Sequence, residues 1–160
     1  MTAVHLSEAL TREHRDIDAG IEAFTADLDS DVVRPEPLMT AFAALRRHIY
    51  LEEEFLFPPI RQAGLMMPVL VMLREHGELW QSMDTIIQLL ESNDDGDVPD
   101  PRLASTCADL LARLDQHNDK EEPIIYPHAD TDLDDESTAA LAEFLRTGRT
   151  PEGWRCETAP

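Results

Sequence analysis

Four long segments of the chain carry the apolar spacing of an α-helix, and this spacing constrains the fold more than any other feature. Each segment is longer than 20 residues, has almost no internal Pro or Gly, and is bounded by clusters of helix-breaking residues. Side chains on the buried face of a bundled helix recur every three or four residues. The four stripes with this spacing are Leu6, Leu10, His14, Ile17, Ile21, Phe24 and Leu28; Leu38, Phe42, Leu45, His48, Glu52 and Phe55; Val69, Leu73, His76, Trp80, Met83, Ile87 and Leu90; and Leu103, Cys107, Leu110, Leu114, His117, Glu121 and Ile124.

The segments predict an all-α protein, an up-down-up-down four-helix bundle followed by a short C-terminal helix and tail. Strand-like alternation of apolar and polar residues is absent. We expect one domain over residues 1–160, with the bundle at about 3–128, an extension at 129–160 and the short helix over 136–146. Trp154 is expected to pack against the bundle.

Proline marks two irregular places in these helices. Pro58 and Pro59 are expected to end the second helix, because proline lacks the N–H that a helix interior needs. Pro123 lies inside the fourth segment, which should therefore kink or loosen beyond Glu121.

The charge of the chain limits its partners and its location. Against 13 Lys and Arg stand 33 Asp and Glu, a net charge of −20, which argues against nucleic acid and against an anionic membrane surface. The sequence shows neither a signal peptide nor an apolar run of the roughly 20 residues that span a bilayer. Cys107 and Cys156 form no disulfide framework or zinc ribbon. We expect a cytoplasmic protein, a monomer or a weak homodimer.

Six ionisable residues interrupt the apolar stripes, and their positions predict a metal site. One stripe histidine alone is most simply a hydrogen-bonded core residue. A buried carboxylate costs several kcal/mol unless it is paired or bound to metal, and no Lys or Arg occupies a matching core position. A His-x3-Glu pair also places both side chains on one face, one turn apart. The six residues are His14, His48, Glu52, His76, His117 and Glu121.

The chain also repeats itself, and the repeat brings the six residues to one level. REHRDI at 12–17 is similar to REHGEL at 74–79, and HIYLEEEFLFP at 48–58 aligns without gaps to HNDKEEPIIYP at 117–127. Each half supplies one helix with a single His and one with His-x3-Glu, so a pseudo-twofold bundle would hold four His and two Glu at its centre. Without a thiolate, these ligands suit two transition-metal ions, with iron as the leading candidate and manganese and zinc as alternatives.

The order His14, His48-x3-Glu52, His76, His117-x3-Glu121 resembles the hemerythrin-like HHE domain family over about residues 5–128. The EH pairs of the first and third helices and the EE-x-x-[LI]-[FY]-P pattern after the paired motifs are similar as well. The resemblance implies a centre of two iron ions, bridged by an oxo or hydroxo group. It further implies that one iron is bound by His14 and His48, the other by His76 and His117, and that Glu52 and Glu121 bridge them.

The chain departs from the oxygen-carrying hemerythrins that it resembles. Those proteins have a further His where this chain has Trp80, and their last motif is His-x4-Asp rather than His-x3-Glu. With six protein ligands, the irons would be more open to small molecules than those of the oxygen-carrying hemerythrins. This implies a site that reacts with or binds hydrogen peroxide, nitric oxide or dioxygen, as in a peroxide- or nitric oxide-consuming oxidoreductase. The alternative is a module that senses or stores oxygen, nitric oxide or iron without turnover.

Several other residues near the motifs are given simpler interpretations. Tyr50 is expected to point away from His48, with a phenolate ligand as the minor alternative. Tyr126, the repeat counterpart of Phe57, is expected to pack in the core. The neighbouring Glu53, Glu54 and Glu122 are expected on a solvated face, where hydrogen bonds to the ligand histidines are an option. Surface or helix-capping roles are expected for His5 and His128.

Overall fold

The computed structural model describes residues 5–93 and 98–160; residues 1–4, at the start of the predicted domain, and 94–97 lie outside the described part. The described residues form helices and no strand. The helices are α1 (Leu6–Asp29), α2 (Pro35–Leu51), α3 (Phe57–Gln62), α4 (Met67–Glu91), α5 (Pro101–Lys120), α6 (Tyr126–Thr131) and α7 (Asp135–Thr147).

The four long helices, α1, α2, α4 and α5, pack antiparallel as a bundle, which confirms the predicted fold. Helix α1 packs along α2 and α4 along α5, and contacts of α1 with α5 and of α2 with α4 close the bundle. The buried apolar residues fall into two clusters. The first cluster holds residues such as Ile21, Phe42, Met83 and Leu110, and the second holds residues such as Leu10, Leu56 and Val69. In α1 and α4 the predicted ligand, His14 or His76, lies between the two clusters along the chain, and in α2 and α5 His48 and His117 lie near the end of the first cluster.

One turn of π-helix follows α2 and another follows α5. These turns span Glu52–Leu56 and Glu121–Ile125, and in each the next residue donates its N–H to the carbonyl five positions back. The chain then continues as α3 and α6, whose first turns contain prolines that need no N–H there. The prediction that Pro58 and Pro59 end the second helix is therefore wrong. The predicted disturbance beyond Glu121 is confirmed.

The π turns also shift which residues face the core. A π turn holds one more residue than an α turn, so the α-helical spacing cannot be continued through it. Ile124, predicted on the fourth stripe, is 46% exposed, and Phe55 is only partly buried. Their neighbours Leu56 and Ile125 are fully buried instead.

The C-terminal segment lies against the bundle, as predicted. Helix α7 covers the range expected for the short helix. The Trp154 ring lies 5.0 Å from the ring of Tyr50 and 5.7 Å from that of Trp80, measured between centroids. Beyond it, the Thr158 hydroxyl donates to the carbonyl of Leu73 at 2.6 Å. The last residues of the chain are thereby held beside α4.

No helix in the described ranges is both long enough and apolar enough to span a membrane.

Candidate metal centre

The six predicted ligands converge at one level of the bundle, and none is more than 4% exposed. Their nitrogen and oxygen atoms form two groups that share both glutamates, and the ligand atoms within each group lie within 4.8 Å of one another. The first group is His14, His48, Glu52 and Glu121, and the second is Glu52, His76, His117 and Glu121. The level predicted from the repeat is therefore the level at which these side chains meet.

The two groups have matching geometry. The closest nitrogen–oxygen distances in the first group are 3.1 Å, from His14 Nε2 to Glu121 Oε1, and 3.3 Å, from His48 Nε2 to Glu52 Oε2. In the second group they are again 3.1 Å, from His76 Nε2 to Glu52 Oε1, and 3.3 Å, from His117 Nε2 to Glu121 Oε2. Each carboxylate thus turns one oxygen toward each group, the arrangement that a bridging ligand requires.

Each ligand histidine also forms a hydrogen bond through Nδ1 with a carboxylate that is not part of the two ligand groups. The Nδ1 atoms pair with glutamate oxygens as follows: His14 with Glu122 at 3.0 Å, His48 with Glu13 at 2.8 Å, His76 with Glu53 at 2.7 Å and His117 with Glu75 at 2.9 Å. Such pairing fixes the ring and leaves Nε2 free to bind a metal.

Sequence reasoning found only part of this outer carboxylate set. The hydrogen bonds offered as an option for Glu53 and Glu122 are present, whereas Glu54 is exposed. The roles of Glu13 and Glu75 were missed. Both stand immediately before a ligand histidine in the EH pairs, and each supports the histidine of a different helix.

The electrostatics of the centre favour positive charge. Burial alone would lower the pKa of His48, but Glu52 and Glu13 raise it to about 10. Burial opposes the charge of His117 in the same way, and mainly Glu121 raises that pKa to about 10. Although burial would raise the pKa of Glu121, His117 and His14 hold it well below the ordinary value. Below about pH 10, protonated His48 and His117 therefore carry positive charge beside the two buried carboxylates.

The residues present fit a pair of metal ions. Glu121 Oε2 is buried and has no hydrogen-bond partner among the described residues, although it faces His117. A cation between the carboxylate and the imidazole would provide the missing partner. Imidazole nitrogens with carboxylate oxygens are a donor set typical of first-row transition metals.

Tyr126 packs in the second core cluster as predicted, but its hydroxyl also lies among the ligand atoms of the first group, which the prediction missed. Its hydroxyl oxygen is 2.7 Å from His14 Nε2, 2.8 Å from His48 Nε2, 2.8 Å from Glu52 Oε2 and 2.9 Å from Glu121 Oε1. The π turn explains the miss, because a side chain five positions after Glu121 returns to the same face there and would not in an α-helix. Burial and the carboxylates of Glu121 and Glu52 raise the pKa of this phenol.

Comparison with known protein families decides the identity of this bundle. The family model described as the hemerythrin HHE cation binding domain matches residues 5–129. The chain belongs to this hemerythrin family. A search of curated proteins and a search of solved structures each found no match. The two overlapping His and Glu groups therefore lie in a hemerythrin-family cation-binding domain and are consistent with a dinuclear metal site.

A small cavity in the hemerythrin domain opens onto the ligands. Its free volume is about 10 Å³, about the minimum for one water molecule. All four ligand histidines and Glu52 line it, together with first-cluster residues such as Leu45 and Leu114. Asp18 and Asn118 line it as well, and the Oδ1 atom of each is buried without a hydrogen-bond partner in the described part of the chain.

The remaining candidates lie away from the hemerythrin ligands. His5 is 59% exposed, and His128 pairs with Asp132 at the surface. Tyr50 packs among aromatic rings, including Phe144 at 5.3 Å between centroids. Trp80 is buried between the Arg46 guanidinium and Trp154, and it is not among the residues that line the cavity.

Proposed function

We propose that this hemerythrin domain binds two iron ions and reacts with hydrogen peroxide, nitric oxide or dioxygen, and that hydrogen peroxide is its preferred substrate. The proposal also makes it a cytoplasmic protein, monomeric or weakly dimeric, whose partners are these small molecules. Support comes from the family, from the two ligand groups and from the cavity that faces them.

The six converging residues would hold the ions. His14 and His48 would bind one, His76 and His117 the other, and each of the two shared carboxylates would bridge them. Iron bound there would supply reversible electron transfer. The outer glutamates would orient the imidazoles before any ion arrives, and the apolar walls of the cavity would exclude bulk water.

Two oxygens in the cavity lining, on Asp18 and Asn118, have no hydrogen-bond partner among residues 5–93 and 98–160, and they favour hydrogen peroxide as the substrate. A buried acceptor left without a donor costs about 1–3 kcal/mol. Hydrogen peroxide has two O–H donors, whereas dioxygen and nitric oxide have none.

The overall reaction needs no other reactant. Two hydrogen peroxide molecules give two waters and one dioxygen, with one peroxide losing two electrons and two protons and the other gaining them. Asp18 is a titratable side chain of the cavity lining whose Oδ1 has no partner among the described residues, and burial raises its pKa. Its carboxylate would hold a proton between the two halves of the reaction, while Asn118 would accept a hydrogen bond from the bound peroxide.

A sensing role is the second candidate, and one set of contacts favours it. The N–H of Glu157 donates to Glu53 Oε1 at 2.9 Å, and Glu53 Oε2 lies 2.7 Å from His76 Nδ1. A change at the second group could thereby be passed to the C-terminal segment without turnover.

Metal analysis and peroxide assays of iron-loaded protein test the proposal. We expect about two irons per chain and one dioxygen evolved for every two peroxides consumed. His48→Ala and Glu121→Ala should lose iron, whereas His128→Ala should retain it. Fewer than one iron per chain would contradict the metal centre, and a loaded protein without peroxide turnover would favour sensing.

The substrate preference has its own matched pair of variants. Asp18→Asn should lower peroxide turnover while iron content stays unchanged, and Asp16→Asn, at an exposed position of the same helix, should change neither. Faster consumption of nitric oxide than of peroxide by the wild type would refute the preference for peroxide.

A further inference from the structure

The geometry points to Tyr126 as a seventh protein ligand, bound through its phenol oxygen to the ion of the first group alone. This inference builds on the metal-binding part of the proposed function. It adds a ligand that the six-residue motif does not contain.

The phenol oxygen has more neighbours than a hydroxyl can satisfy. Four ligand atoms lie within 2.7–2.9 Å of it, two imidazole nitrogens and two carboxylate oxygens. A hydroxyl has one proton to donate, so it can serve only one of the two carboxylates at a time. Once both Nε2 atoms give up their protons to bind metal, all four neighbours carry lone pairs. A shared cation is then the partner that satisfies all five atoms together.

The predicted metal-ligand atoms surround this oxygen. His14 Nε2 and Glu121 Oε1 are 3.1 Å apart, and the phenol oxygen lies 2.7 Å from the first and 2.9 Å from the second. An ion bound by the first group would therefore sit next to the Tyr126 oxygen. Binding as a phenolate would release the phenol proton to solvent.

The second group lacks this oxygen because the repeat places phenylalanine there. The Phe57 ring stacks on His76 with centroids 5.5 Å apart, just as the Tyr126 ring stacks on His14 at 5.3 Å. The two rings are repeat counterparts, and only one of them carries a hydroxyl. An ion held by the second group would therefore have no phenol oxygen beside it, and the two ions would differ in their ligands.

Optical and resonance Raman spectra of the ferric protein test the inference. Phenolate bound to ferric iron gives a visible charge-transfer band and enhanced tyrosine ring vibrations. We expect both in the wild type, with ring vibrations that shift when the protein contains ring-deuterated tyrosine. Tyr126→Phe should abolish the band, while metal analysis still finds iron. That substitution only installs the residue that the other half of the repeat already has.

Tyr50→Phe is the matched control, because the chain has two tyrosines and Tyr50 lies in the aromatic cluster with Phe144 and Trp154. Its spectrum should equal that of the wild type. Phe57→Tyr should strengthen the band by adding a second phenol. Iron-loaded wild type without tyrosine ring vibrations, or a Tyr126→Phe spectrum with the band intact, would overturn the inference. Failure to bind iron at all would instead overturn the proposed function.

Discussion

Metal binding by this chain should release protons, and the number follows from two histidines. In the metal-free protein the pKa values of His48 and His117 are raised to about 10, above the usual value of about 6.5. Their protonated forms stabilise the metal-free fold below pH 6.5, and this contribution is lost as the pH rises through 10. A metal binds only the neutral imidazole. Because each ligand group contains one of the two histidines, each ion displaces at least one proton.

The pH dependence of metal affinity follows from the number of protons that each ion displaces. Between about pH 7 and pH 9, each displaced proton changes the apparent binding constant tenfold per pH unit, which is about 1.4 kcal/mol. Affinity for each ion should therefore rise at least tenfold per pH unit in this range. A phenolate from Tyr126 would add one proton to the count for the first group.

Titration calorimetry of metal-free protein with ferrous iron under nitrogen measures this release. Titrations in two buffers with different ionisation heats give the number of protons per ion. His128→Ala, which removes a surface histidine, should release as many protons as the wild type. Fewer than one proton per ion, or an affinity that stays constant across this pH range, would refute the reasoning.

Three further predictions concern individual contacts. Glu75→Gln should weaken metal affinity about 10–100-fold, because it weakens the carboxylate support of one imidazole; unchanged affinity in a metal competition assay would contradict this role. Gly77→Ala should displace the C-terminal segment, because an added Cβ would lie 2.5 Å from a backbone carbonyl oxygen there; limited proteolysis should then cut the tail faster than in the wild type. Ile125→Ala should lower the free energy of unfolding by about 2–5 kcal/mol, whereas Ile124→Ala should change it by less than about 0.5 kcal/mol; equal effects in urea unfolding would argue against the π turn.

The α-helical period was sufficient to predict the bundle and the meeting of six side chains. The prediction was correct because the stripes remain regular up to Glu52 and Glu121. A buried carboxylate on an apolar face also needs a positively charged or hydrogen-bonding partner, which indicated that the six side chains meet. That these six residues bind metal stays a prediction.

One turn beyond Glu52 and Glu121, the α-helical spacing no longer predicts which side chains are buried. The i→i+5 bonding beyond Glu121 rotates the chain, so that Ile124 faces solvent and Tyr126 reaches the ligands. Pro123 marked the irregular place, but a proline shows only that the α pattern is disturbed and not that the disturbance is a π turn. The same ambiguity explains why Pro58 wrongly predicts a helix end, where the chain in fact continues through a π turn into α3.

The outer glutamates join the helices in a closed circuit. Glu13 of α1 holds the histidine of α2, Glu53 after α2 holds that of α4, Glu75 of α4 holds that of α5, and Glu122 after α5 holds that of α1. Each link joins neighbouring helices, and the circuit contains no metal. We therefore expect the bundle to survive chelation and to refill without unfolding. Ions could then be exchanged during the life of the protein, so the metal it carries would follow the supply around it and not the conditions under which the chain first folded.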